Sequence, residues 1–135
     1  MIAVVDASIV CKWFFPESGS DAATKLLEYD RLIAPELLYA EVGNVCWKRV
    51  RSREISVAEG TDVLASLVRI PLEIADTRAL AHHALELAVE FGRTFYDSLY
   101  LALAVQSGTQ LATADEKLVN SLANTTLGGT VRLVR

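Results

Sequence analysis

The apolar positions of this chain change their period several times, and each change marks a new element. Residues 2–5, "IAVV", form a short continuous β-rich run, and "ASIVCKWFF" after it reads as a helix that Pro16 stops. "SDAATKLLEY" reads as a second helix from a Ser20 cap, and "LIA" as a buried strand. Pro35 suits the first turn of a long helix running to about Arg51. Ser56 and Glu59 form an S-x-x-E capping box for a fourth helix, "PLEI" is a strand, and Asp76 caps a fifth helix that ends near Gly92. The apolar stretch "FYDSLYLALAVQSG" is a helix closed by Gly108; then come the strand "QLATA", a short helix from Asp115, and a last strand "TVRLV". Strands alternating with helices predict an α/β fold, an α/β/α sandwich around a central, mainly parallel sheet. In such sheets ligands gather beyond the carboxyl ends of the strands.

At 135 residues, with no repeat, low-complexity tract or linker, the expectation is one domain spanning residues 1–135. The hydrophobic fraction of 52% and mean hydropathy of +0.30 are high for a soluble protein and point to either a strongly buried sheet or a subunit interface, so oligomerisation is expected. No apolar run approaches the length that crosses a bilayer, and the apolar N-terminus lacks a basic leader and is broken by Asp6. A cytoplasmic protein without membrane association is expected. Cys11 and Cys46 lie far apart among apolar neighbours, which reads as two packed thiols. The net charge of −4 argues against nucleic-acid binding through overall positive charge, although "KRVRSR" gathers Lys48, Arg49, Arg51 and Arg53.

Four carboxylates stand where the local pattern does not call for them. Asp6 directly follows "IAVV" and Asp115 directly follows "QLATA", so a parallel sheet puts both at one edge. Glu41 falls at the border of the stripe Leu38, Val42, Val45 and Cys46, while Asn44 and Lys48 continue a polar line beside it. Asp97 sits over Leu101 and Ala104 as the one charge between Tyr96 and Ser107. Taken singly, each has an ordinary explanation: Asp6 and Asp115 as helix caps, Asp97 as a partner of the helix dipole, Glu41 paired with Lys48 or Arg49. Taken together, converging carboxylates call for compensation, and a hard divalent cation with oxygen ligands supplies it.

The pieces "VVDASI", "PELLYAEVGNVCWK", "TFYDSLYLALA" and "LATAD", in this order and spacing, resemble the PIN-domain nucleases, and more closely the VapC toxins of bacterial and archaeal toxin–antitoxin pairs. The resemblance covers essentially the whole chain. It implies a PIN-like fold and a Mg²⁺-dependent ribonuclease, with Mn²⁺ as a substitute, whose four-acid site is carried here by Asp6, Glu41, Asp97 and Asp115. Asp6 and Asp97 would be the central metal ligands, Glu41 a ligand directly or through water, and Asp115 the acid of most variable role. Ser8, Asn44 and Thr113 match supporting polar positions. The resemblance further implies hydrolysis to 5′-phosphate and 3′-hydroxyl ends, a VapB-like antitoxin as partner, and a homodimer.

Removing the four site acids leaves a charge-balanced surface, so Lys12, Lys48, Arg49 and Arg51 can be read as tracking an RNA backbone, or as a solvated basic helix end. Trp13, Phe14, Phe15 and Trp47 read as core or partner-binding aromatics rather than base platforms. His82 and His83 point about 100° apart on a helix and do not easily serve one metal. Two alternatives stay open: a PIN-domain RNA-processing nuclease without an antitoxin, and a non-catalytic interaction module of the same fold. A response-regulator receiver ranks lower, because it would want paired acids after the first strand and a lysine near a late strand end.

Overall fold

In the computed structural model of the chain, which describes residues 1–135, five strands form one sheet. They are β1 (Ile2–Val5), β2 (Arg31–Pro35), β3 (Leu72–Ala75), β4 (Leu111–Thr113) and β5 (Val131–Leu133). The sheet order is β3-β2-β1-β4-β5 and every pairing is parallel. Seven helices flank it: α1 (Ala7–Phe14), α2 (Ser20–Lys25), α3 (Leu37–Arg51), α4 (Val57–Arg69), α5 (Thr77–Phe91), α6 (Phe95–Ser107) and α7 (Glu116–Leu122).

Strand alternation builds two cores, one on each face. Ala3 and Val5 of β1, Leu32 and Ala34 of β2, and Ala112 of β4 pack with α1 to α4, whereas Val4, Ile33 and Leu111 pack with α5, α6 and α7. Because both faces are covered, the central strands read as unbroken apolar runs. α6 lies against the sheet with Ser98 through Ala104 all buried, which explains a helix apolar on nearly every side. From β1 the chain steps outward to β2 and β3, then returns to β4 on the other side of β1. The helices that follow β1 and β4 therefore cover opposite faces, and a crevice opens at the carboxyl ends of these two strands.

The expected caps are present: Asp6 on α1, the Ser56/Glu59 box on α4, Asp76 on α5 and Asp115 on α7. Gly92 and Gly108 close α5 and α6 at φ 65° and 64°. Two boundaries differ from expectation. Pro35 ends β2 instead of opening α3, since its carbonyl side still pairs with β3, and Glu36 becomes the N-cap. Ser20 is already helical, because Gly19 at φ 85° turns the chain and the Ser20 hydroxyl is used to accept from the Glu17 N–H. The expected second helix also tightens into a 3₁₀ turn over Leu26–Glu28. Both cysteines are buried and unpaired, and the Cys11 thiol is pushed up to about 12, chiefly by burial. No helix is long and apolar enough to cross a membrane.

Candidate active site

Asp6, the first residue beyond β1, caps α1 and is held from three sides. Ser8 Oγ donates to its Oδ1 at 2.5 Å, Thr113 Oγ1 to its Oδ2 at 2.5 Å, and the Ile9 N–H to Oδ1 at 3.2 Å. The two hydroxyls are themselves fixed from behind: the Ala114 N–H donates to Ser8 Oγ at 2.9 Å, and the Asp115 N–H to Thr113 Oγ1 at 3.0 Å. The end of β4 thus clamps the end of β1 through one carboxylate. Burial outweighs these hydrogen bonds and pushes the Asp6 carboxyl up to about 6, with the Glu41 charge adding to the rise.

Glu41 reaches the same place from α3. It accepts from the Tyr100 hydroxyl of α6 at 2.5 Å, so two helices on opposite faces meet across the crevice. Burial raises the Glu41 carboxyl, the Tyr100 hydrogen bond opposes that rise, and the Asp97 charge adds to it. Tyr100 in turn is pushed up by burial and by its carboxylate partner, so it remains a neutral donor. Asp97 stands at the third position of α6, where its N–H is capped by Thr94 Oγ1 at 3.0 Å and its Oδ2 lies 3.4 Å from an Arg93 guanidinium nitrogen. Asp115 caps α7 through the Leu118 N–H at 3.1 Å and is exposed at the rim.

All four acids line one cavity of about 150 Å³, together with Ser8 and Tyr100. No three of the chain's His, Cys, Asp or Glu side chains close around a single point as a finished cage. Each acid is drawn aside by its own partner: hydroxyls for Asp6, a phenol for Glu41, a guanidinium for Asp97 and a backbone amide for Asp115. The donor set nevertheless fits a hard cation. It is entirely oxygen, two of its members carry raised pKa values from burial and mutual repulsion, and Mg²⁺ retains waters that span longer distances to carboxylates.

Ser8 and Thr113 stand inside the site, whereas Asn44 is exposed one turn along α3 from Glu41 and faces an adjoining groove. Lys48 lines that groove too. Lys12 is held by the Ser18 carbonyl at 2.5 Å and Glu17 at 3.3 Å, and Arg49 lies between Glu17 and Glu54 with its guanidinium 4.2 Å from the Phe15 ring. Arg51 stacks over Trp47 at 4.5 Å. Tyr100, Arg93 and Thr94 were not singled out from the sequence. Tyr100 could have been found, since it sits three residues after Asp97 and so on the same helical face.

The PIN domain model matches residues 3–121. Ribonuclease VapC3 of Pyrobaculum aerophilum is 31% identical over 121 residues, 87% of this chain and 92% of that protein. A crystal structure from Pyrobaculum aerophilum superposes with a TM-score of 0.73 at 26% identity, over 97% of this chain and 83% of that one. A toxin–antitoxin complex from Klebsiella pneumoniae contains a chain of like fold, with a TM-score of 0.66 at 17% identity and 98% of each chain covered.

Proposed function

This chain belongs to the PIN-domain family and to its VapC ribonucleases, and from that premise we propose that it is a Mg²⁺- or Mn²⁺-dependent endoribonuclease acting as the toxin of a toxin–antitoxin pair. The observation that carries the reading is the convergence of Asp6, Glu41, Asp97 and Asp115, from four separate elements, on one cavity at the sheet's switch point. A fold has no reason of its own to gather four carboxylates around one cavity, because burial and mutual repulsion raise the Asp6 and Glu41 carboxyls and their hydrogen-bond partners offset only part of that rise.

Asp6 and Asp97 would hold the cation most directly, Glu41 directly or through water, and Asp115 from the rim. When bound, a divalent cation offsets charge on the phosphate oxygens and makes water acidic enough to attack near neutral pH. Ser8 and Thr113 fix both oxygens of Asp6, so its orientation is set before any ligand arrives. Tyr100 likewise fixes Glu41, whose raised carboxyl is the better proton acceptor. Asp97 is held near Arg93 by a long contact, which leaves it free to turn into the cavity. The reaction is hydrolysis: water adds to phosphorus, the 3′ oxygen leaves with a proton, and the new end is a 5′-phosphate.

A VapB-like antitoxin is the proposed inhibitor, supported by the like-folded chain in the Klebsiella pneumoniae complex. A homodimer is proposed from exposed apolar side chains, Val89 at 79% and Trp47 at 54% among them. The test of the activity is digestion of cellular RNA by purified protein with Mn²⁺ or Mg²⁺. Wild type should yield discrete fragments, EDTA should abolish them, and Asp97→Asn should lower the rate by about 10²-fold or more, given several kcal/mol of transition-state stabilisation. Equal cutting by wild type and variant would remove Asp97 from the site.

A further inference from the structure

We propose that the groove beside the four-acid cavity is a nucleotide subsite, in which a base flanking the scissile bond stacks on Tyr96 while Lys48 meets the next phosphate. This rests on the ribonuclease reading above and adds how that site grips its substrate. The groove is a space of about 480 Å³ that shares Ala7 and Glu41 with the cavity as a common wall. RNA whose phosphate lies against the acids therefore has a direct way out along it.

One face of α3 forms the floor, with Leu37, Ala40, Asn44 and Lys48 following Glu41's line at helical spacing. Tyr96 of α6 stands across from them. Tyr96 is 61% exposed, so its ring is accessible to a partner in the groove. Phe95, the first residue of α6 and partly buried against the core, meets it edge-on with centroids 6.4 Å apart and planes at 69°. An exposed ring next to the site is what base stacking requires.

The charges agree with a nucleic acid. Lys12 and Arg49 are tied to Glu17, whereas Lys48 has no ion-pair partner and lies seven residues, about 10 Å, along α3 from Glu41. Asn44 lies between them with an amide that can donate to or accept from a base edge. The groove thus offers a flat ring, an amide and an ammonium in sequence away from the acids, which matches base, base edge and phosphate.

The test uses a short fluorescent single-stranded RNA that wild-type protein cuts with Mn²⁺, and the same RNA with an abasic residue placed in turn on either side of the cut. Tyr96→Ala should lower kcat/KM on the intact RNA by about tenfold or more, while Tyr96→Phe stays near wild type. On the RNA abasic at the stacked position, wild type and Tyr96→Ala should cut alike. Lys48→Ala should flatten the salt dependence of cleavage by somewhat less than one unit of log–log slope. Mg²⁺ affinity by calorimetry should be unchanged in all three variants, which separates loss of grip from damage to the acids. An equal penalty on intact and abasic RNA, or none on either, overturns the subsite alone. Wild-type protein that cuts no RNA at all overturns the ribonuclease reading and the subsite with it.

Discussion

Asp6 concentrates the conflict of the metal-free site. Its carboxyl rises from an ordinary 3.8 to about 6 because burial costs the anion more than Ser8, Thr113 and the Ile9 N–H return. A native pKa above the unfolded one means the fold is fully favoured below about pH 4 and loses stability as pH rises through 6, by about 3 kcal/mol for this one group. In EDTA, Asp6→Asn should therefore be more stable than wild type at pH 8, by up to about 3 kcal/mol, with the gap closing towards pH 4; urea unfolding at the two pH values measures it. The hydroxyl pair accommodates the amide without moving. Thr113 Oγ1 can accept from the Asn side chain and turn its own hydrogen towards Ser8 Oγ, 3.3 Å away. Mg²⁺ binding at these acids should have the opposite dependence, weakening as pH falls below 6. Tyr100→Phe should push the Glu41 carboxyl further up, weaken Mg²⁺ about 10- to 100-fold and move the rising limb of the pH–activity profile to higher pH. A calorimetric Mg²⁺ affinity equal to wild type would remove Glu41 from the ligand set.

At the scale of elements, the site depends on helix starts. Asp6 and Asp115 each cap a helix and accept from a backbone N–H, whereas Asp97 stands in the first turn of α6 with its own N–H donated to Thr94 Oγ1 and its carboxylate beside Arg93. For Asp6 and Asp115 the ordinary reading as a helix cap is therefore correct and yet incomplete, because both carboxylates also line the shared cavity. Glu41 differs, since it sits mid-helix on α3 and needs Tyr100 from α6 as its anchor. α4 is away from the cavity, and its capping box is a control. Ser56→Ala should cost about 1 kcal/mol in urea unfolding and leave the specific activity unchanged.

For the whole molecule, the sheet order sets where the four acids converge, and the outer helices carry the apolar surface through which the proposed dimer would form. Val57 and Val68 on α4 and Leu85 and Val89 on α5 are more than half exposed, at 67%, 71%, 57% and 79%, too much apolar surface to leave solvated without consequence. Sedimentation should show a dimer at micromolar protein, and Val89→Glu or Val68→Glu should shift it to monomer if the altered residue lies in the interface. Mg²⁺ should raise the Tm, by an amount that grows with concentration, because the ion binds only the folded site; Asp97→Asn should blunt that rise.

The sequence by itself determined the element order, the caps of α1, α4, α5 and α7 and the parallel α/β architecture, because these follow from local period and from turn chemistry read within a few residues, whereas the starts of α2 and α3 were set by Gly19 and by the pairing of β2 with β3. It also singled out the four acids, since a carboxylate after a buried strand or in an apolar helix conflicts with its neighbours in the chain. Only the tertiary structure decided that the four meet, because their meeting depends on β4 returning beside β1 and on α3 and α6 crossing from opposite faces. Tyr100 shares a helical face with Asp97 and Arg93 stands four residues before it, so their places beside Asp97 could be read locally; that Tyr100 meets Glu41, and that Tyr96 faces Lys48 across a groove, depends on α3 and α6 being brought together. It likewise separated the basic residues: Lys12 and Arg49 were drawn to Glu17 by a loop that packing places beside them, and Lys48 was left facing the groove.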